Sequence, residues 1–160
     1  MNADAPDIDT PEASTFRASL HDRYSRFIPH SAALGMTVEA IGTRKASGRL
    51  HCRPEFVGDP DRGLIHNGVI ISLIDSTFGC AVNSRIGSWQ RIATLDLRVD
   101  YLRPALLGAD ILCEAECYRL ARHIAFVRAS VWQEDAPEAP VAEALATFMR
   151  AASRTKALQA

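Results

Sequence analysis

Residues 63–84 read GLIHNGVIISLIDSTFGCAVNS, and no other stretch constrains the fold of this chain as strongly. The run is long and lacks the alternation of a half-buried strand, so it predicts a helix over 67–86. Val69, Ile70, Ile71, Leu73, Ile74, Phe78 and Val82 cover most of that helix's circumference. A helix apolar nearly all round belongs inside a core. The exception is a narrow seam of small or polar residues at three- and four-residue spacing, namely Ser72, Asp75, Ser76, Gly79 and Asn83. Asp75 places a carboxylate in the middle of an apolar helix, which is costly unless the group is bonded or hydrated.

Around this helix the sequence reads as strands. In residues 91–102, RIATLDLRVDYL, strict alternation predicts Ala93, Leu95, Leu97, Val99 and Tyr101 on the core face and Thr94, Asp96, Arg98 and Asp100 outward. ADILCEAECYRL turns Ile111, Cys113, Ala115 and Cys117 inward, and HIAFVRASVWQE and PVAEALATFMRAA add two more strands across the turn EDAPEAP. Upstream, ALGMTVEAIG puts Leu34, Met36, Val38 and Ala40 on one side, and KASGRLHCR does the same with Ala46, Gly48, Leu50 and Cys52. PEFVGDPDRG, with two prolines and two glycines, reads as a loop. An amphipathic cover helix is expected from Pro11, capped by Thr10, with Phe16, Leu20, Phe27 and Ile28 near one face. The expected fold is α+β, a curved antiparallel sheet of about six strands around the central helix, in one domain over 11–153. Residues 1–10 are expected to be disordered and 154–160 frayed.

A chain of 160 residues suits one domain. Its net charge of −1, with both signs mixed along the chain, argues against nucleic acid as a partner. The N-terminus shows no basic and apolar leader, and the apolar run is read as too interrupted to span a membrane. The four cysteines, Cys52, Cys80, Cys113 and Cys117, match no zinc spacing. They are read as reduced thiols of a cytoplasmic protein. No metal constellation or phosphate-binding glycine loop is visible, so no cofactor is expected.

Four features together carry a resemblance. HNGV stands at residues 66–69, Asp75 follows nine positions after His66, RIATLDLRVDYLRPA fills 91–105, and the late stretch runs RHIAFVRASVW…VAEALATFM. In these the chain resembles the hotdog-fold acyl-CoA thioesterases, specifically the phenylacetate-pathway (PaaI-like) branch. The resemblance implies a homodimer, often a dimer of dimers, with active sites between subunits. It also implies that a backbone N–H at the start of the central helix holds the thioester carbonyl and that Asp75 drives hydrolysis. The sequence departs from the family at Asn67, where the middle of the usual His-Gly-Gly is glycine, and at Pro60, where the branch often carries asparagine.

The residues suit that chemistry. Free N–H groups of Asn67 and Gly68, with the helix dipole behind them, would stabilise a developing oxyanion. Asp75 lies eight residues further on, roughly 12 Å along the axis at about 1.5 Å per residue. Both groups must come within about 3–3.5 Å of their reacting atoms, so one helix cannot supply both to one substrate. Asp75 would therefore serve a site completed by a second subunit, as general base toward water or as nucleophile. Burial should raise its pKa and nearby donors restrain the rise. Thr94 matches a position where the resembling branch often carries a hydroxyl and is assigned on that ground to orienting water, and His66 is assigned to shaping the helix entry. Arg103 and Arg122 are assigned to the coenzyme A phosphates, and Asn83 to the substrate. Phe78, Trp89 and Tyr101 are candidates for pocket walls. The alternatives are a non-catalytic acyl-CoA-binding dimer and, ranked last, hydration of an enoyl thioester.

Overall fold

The computed structural model describes residues 11–150. The expected Thr10 cap, the disorder over 1–10 and the fray over 154–160 lie outside the described residues. The chain opens with helix α1 (Pro11–Asp22), which passes through a π-helical turn (Arg23–Phe27) into the short helix α2 (Pro29–Leu34). Gly35 closes α2 in the left-handed conformation, φ 67°, which glycine adopts without steric cost. Strands β1 (Met36–Ile41) and β2 (Lys45–Leu50) follow, then a small hairpin, β3 (Val57–Asp59) and β4 (Leu64–Ile65). Helix α3 (Asn67–Ile86) leads to β5 (Ile92–Tyr101), β6 (Ile111–Leu120), β7 (Ile124–Gln133) and β8 (Ala142–Arg150).

Six strands form one antiparallel sheet in the order β1-β2-β6-β7-β8-β5. The fold is thus α+β, with the long helix expected over 67–86 at its centre. Helix α3 packs chiefly on β6 and β2. Ile70, Leu73, Ile74, Phe78 and Val82 are buried with Ile111, Cys113, Ala115 and Cys117, the inward set expected of β6. Close approach depends on small sheet residues. A Cβ at Gly48 would lie 2.6 Å from Thr77 Oγ1 and 3.3 Å from Leu73 Cδ1, so α3 can rest on β2 only because that position is bare. By length and composition α3 could cross a membrane, contrary to its reading as too interrupted. Most of it is nevertheless enclosed by the rest of the fold, which makes it a core helix.

Several local expectations are corrected. The cover helix buries Leu20 and Tyr24, whereas Phe27 is 74% exposed. The wider π turn over Arg23–Phe27 rotates later side chains away from the face that α-helical spacing assigns them. Leu34 ends α2 rather than starting a strand. A bulge at Glu39 shifts the β1–β2 register between Val38 and Ala40, so Ala40 is exposed and Ile41 turns toward the core. The stretch expected to be a loop contains β3, which pairs with β4 just beyond it in a short hairpin.

Phe78 is fully buried and meets Phe148 edge-on, ring centroids 6.3 Å apart, which ties α3 to β8. Phe78→Ala is expected to cost about 3–5 kcal/mol of stability. The check is the shift of a urea unfolding midpoint at fixed protein concentration.

Candidate active site

The site begins with an irregularity in β5. Thr94 pairs with Phe148, but Asp96 pairs with Thr147, leaving Leu95 as one extra residue. Such a bulge reverses the facing of everything beyond it. The strict alternation expected for this strand therefore fails. Thr94 faces the helix before the bulge and Leu97 lines the same cleft after it, while Leu95 is 55% exposed. Thr94 is thus on the inner side, not the outer side where alternation puts it. Its Oγ1 donates to Asp75 Oδ1 over 2.7 Å. No donor to Asp75 Oδ2 is found among the described residues.

Asp75 is half-buried and lines an open cleft of about 500 Å³ between α3, β5 and the N-terminal segment. That volume lies within the range of small-molecule sites, about 300–1,000 Å³. Ile28, Ile71, Ile92, Leu97 and Phe148 supply apolar wall. The polar seam of α3 accounts for the roof. His30 Nε2 lies 3.1 Å from Ser72 Oγ, and Ser31 Oγ lies 3.1 Å from Ser76 Oγ. Ser72 Oγ also donates to Gly68 O at 3.1 Å. The seam is thus where α2 is hydrogen-bonded to α3, a pairing that escaped the sequence because α2 itself reads as strand approach. Asn83 belongs to the same seam but not to the substrate surface. It is fully buried, with Oδ1 accepting from Gln90 N–H at 3.0 Å and Nδ2 donating to Tyr24 Oη at 3.1 Å. Its amide is committed to the fold, which corrects its assignment to substrate.

At the helix entry, His66 is the N-cap and its Nδ1 accepts from Gly68 N–H at 3.0 Å. An accepting Nδ1 leaves the ring proton of neutral His66 on Nε2. The bond also removes Gly68 N–H from the two expected oxyanion donors. The Asn67 N–H has no partner among the described residues and stands at the positive end of the helix dipole. Asn67 needs no unusual backbone angle, since no described non-glycine residue has positive φ. Its carbonyl accepts from Tyr101 Oη at 3.3 Å, and the hairpin sets the approach through His66 N–H to Phe56 O, 2.8 Å.

The two arginines differ. Arg103 gives Nε to Ala139 O (2.9 Å) and Nη1 to Gln133 Oε1 (3.2 Å) and Pro104 O (3.4 Å), which fastens the β7–β8 connection, while its buried Nη2 has no partner among the described residues. Arg122 is exposed in the β6–β7 turn, whose His123 O accepts from Arg150 N–H at 2.9 Å. This is the end of the sheet away from Tyr101 and the start of α3. Trp89 packs on Tyr24 and Phe78 belongs to the core.

Comparison with known proteins identifies the family. Residues 62–140 match the model of the thioesterase superfamily. The medium/long-chain acyl-CoA thioesterases YigI of Escherichia coli K12 and Salmonella typhimurium are each 30% identical over 135 residues, 76% of this chain and 85% of theirs. Among solved structures, a Pseudomonas aeruginosa protein shares 36% identity with a TM-score of 0.70, over 82% of this chain and 99% of that one. A mutant of the phenylacetic acid degradation protein PaaI from Thermus thermophilus shares 30% with a TM-score of 0.67, over 77% and 99%. The chain belongs to the thioesterase superfamily, a family of enzymes with the hotdog fold.

The helix entry can be tested without substrate. A Cβ at Gly68 would lie 2.9 Å from His66 Nδ1. Gly68→Ala should therefore displace the ring and lose the cap, lowering stability by about 1 kcal/mol, read as a fall in the thermal unfolding midpoint.

Proposed function

We propose that the protein hydrolyses acyl-CoA thioesters to a carboxylic acid and free coenzyme A, as a homodimer with two shared sites. The observation that carries this reading is the pair formed by Asp75 and Thr94. One carboxylate oxygen is held by the threonine hydroxyl, and the other is left for the cleft. The names of the YigI relatives favour aliphatic acyl groups over aryl ones, and the apolar walls of the cleft suit such chains.

Asp75 and the free Asn67 N–H stand about 12 Å apart along one helix, by the rise per residue. In the proposed dimer, Asp75 and Thr94 of one protomer work with the Asn67 N–H of its partner. Attack on the thioester carbon moves charge onto the carbonyl oxygen, where that N–H stabilises it. If Asp75 is the base, it takes a proton from water as the C–O bond forms. The C–S bond then breaks and the thiolate recovers the proton. If Asp75 is the nucleophile, it displaces the thiolate to give a mixed anhydride, which water then cleaves. Thr94 fixes the carboxylate for either route.

The outer edge of β5 supports the mode of pairing. The strand is ten residues long, bonds only to β8, and leaves its other edge open. Exposed Leu95 and Leu102 add apolar surface there, and exposed Leu145 and Met149 on β8 favour a further contact between dimers. The unpaired cysteines fit a reducing, cytoplasmic setting. Among the cations assigned to the coenzyme A phosphates, Arg122 retains the exposure that the role requires.

Purified protein should release thiol from medium- or long-chain acyl-CoA, and Asp75→Asn should fold normally yet lose about 10²–10⁴-fold in kcat. Equal turnover by the mutant would remove Asp75 from the chemistry. Ligand binding without thiol release across short, medium, long and aryl substrates would favour the non-catalytic acyl-CoA-binding dimer. Sedimentation should give a dimer or tetramer; an active monomer would refute the shared site.

A further inference from the structure

We propose that Tyr24 sets the length of acyl chain that the cleft accepts, by standing between the cleft and a second apolar chamber behind it. This rests on reading the cleft as an acyl-CoA site. Tyr24 is buried, and its ring lies directly on the backbone of α3 one turn beyond Asp75. A Cβ at Gly79 would meet Tyr24 Oη at 2.9 Å and Cε1 at 3.3 Å, so the missing side chain at 79 is what admits the ring. Asn83 Nδ2 donates to the phenol oxygen at 3.1 Å. Trp89 backs the ring at a centroid distance of 6.2 Å and is itself covered by the Arg23 guanidinium at 3.6 Å. The ring is therefore held by the helix, the amide and the indole.

Behind it lies a chamber walled by Met36, Val38, Ala46, Gly48, Leu73 and Cys80. It shares only two residues with the Asp75 cleft, Tyr24 and Ser76. Ser76 is short and already tied to Ser31, so the phenol ring forms the partition. The chamber has room for about one water. Its surface is mostly apolar, although Thr37, Ser47 and Thr77 also line it, and burial pushes the Cys80 thiol up to about 12. A saturated chain that enters beside Asp75 and follows Ile92, Leu97 and Phe148 ends against Tyr24. With the ring removed, the two spaces join and the chain continues into the sheet-side chamber.

The test uses S-alkyl-CoA thioethers of increasing chain length, which bind but cannot be hydrolysed. Affinities are measured by calorimetry for the wild type, Tyr24→Phe and Tyr24→Ala. In the wild type, affinity should rise about fourfold per added methylene and then level off. Tyr24→Phe should keep that break, because the partition remains. Tyr24→Ala should move it to longer chains by a few methylenes at most, mainly into the volume vacated by the ring, and the hydrolysis profile should shift the same way. An unmoved break in a folded Tyr24→Ala protein would overturn the proposal, as would a wild type with no break. If Tyr24→Ala does not fold, Tyr24→Leu carries the same readout with less lost volume. Failure of the thioesterase reading is distinct, since it appears as absent thiol release in the wild type while the thioether series still reports on Tyr24. A wild type that binds no thioether would overturn the Tyr24 proposal and leave the thioesterase reading to the thiol-release assay.

Discussion

A carboxylate on a core helix is the constraint to which the other elements answer. Helix α3 is apolar on every side but one, so the fold must enclose it, yet its seam cannot be pressed into hydrocarbon. The solution divides the helix lengthwise. Leu73, Thr77 and Cys80 lie toward β1 and β2, where the bare Gly48 lets the backbones approach. The seam lies toward α2 and β5, where hydroxyl and imidazole groups meet it at Ser72, Asp75 and Ser76. The cleft exists because these partners satisfy the seam without filling the space beside it.

That division explains which parts of the fold were legible. The limits of α3 follow from a long apolar-rich run without period-two alternation, and the inner faces of β2 and β6 follow from residues that keep period two. Phe27, Ala40 and Thr94 were misplaced for one shared reason. Each lies within or next to a local change in backbone phase: the π turn, the bulge at Glu39 and the bulge at Leu95. A phase change of one residue is decided by which partner strand or helix the chain meets, and leaves no mark in its own composition. Helix α2 and the β3–β4 hairpin were missed because elements of two to six residues carry too little periodicity to stand out.

The site shows the same contrast. Asp75 and Asn67 could be found because each breaks a pattern, an acid among hydrocarbons and an amide where the resemblance expects glycine. Thr94 was chosen from the resemblance but placed on the wrong side, since the bulge that turns it inward is invisible in a strictly alternating strand. Asn83 looked like Ser72 and Ser76 by spacing. Its burial beneath Tyr24 and against Gln90 is a property of the folded chain alone. Tyr24 had no signal of its own, although the bare position at Gly79, on an otherwise substituted seam, marked where something large would sit.

The strand order has a consequence for how such a protein is made. Strand β5 leaves the ribosome directly after α3, but among the described strands it bonds only to β8, the last of them in chain order. Until β8 emerges, Thr94 therefore has no sheet to hold it against Asp75. Helix α3 can meet β2 early and β6 soon after, whereas β5 waits for the C-terminal strand. Asp75 and Thr94 emerge in mid-chain but are locked together only when β8 arrives, so a chain terminated before β8 would hold its aspartate without a fixed β5 to orient it.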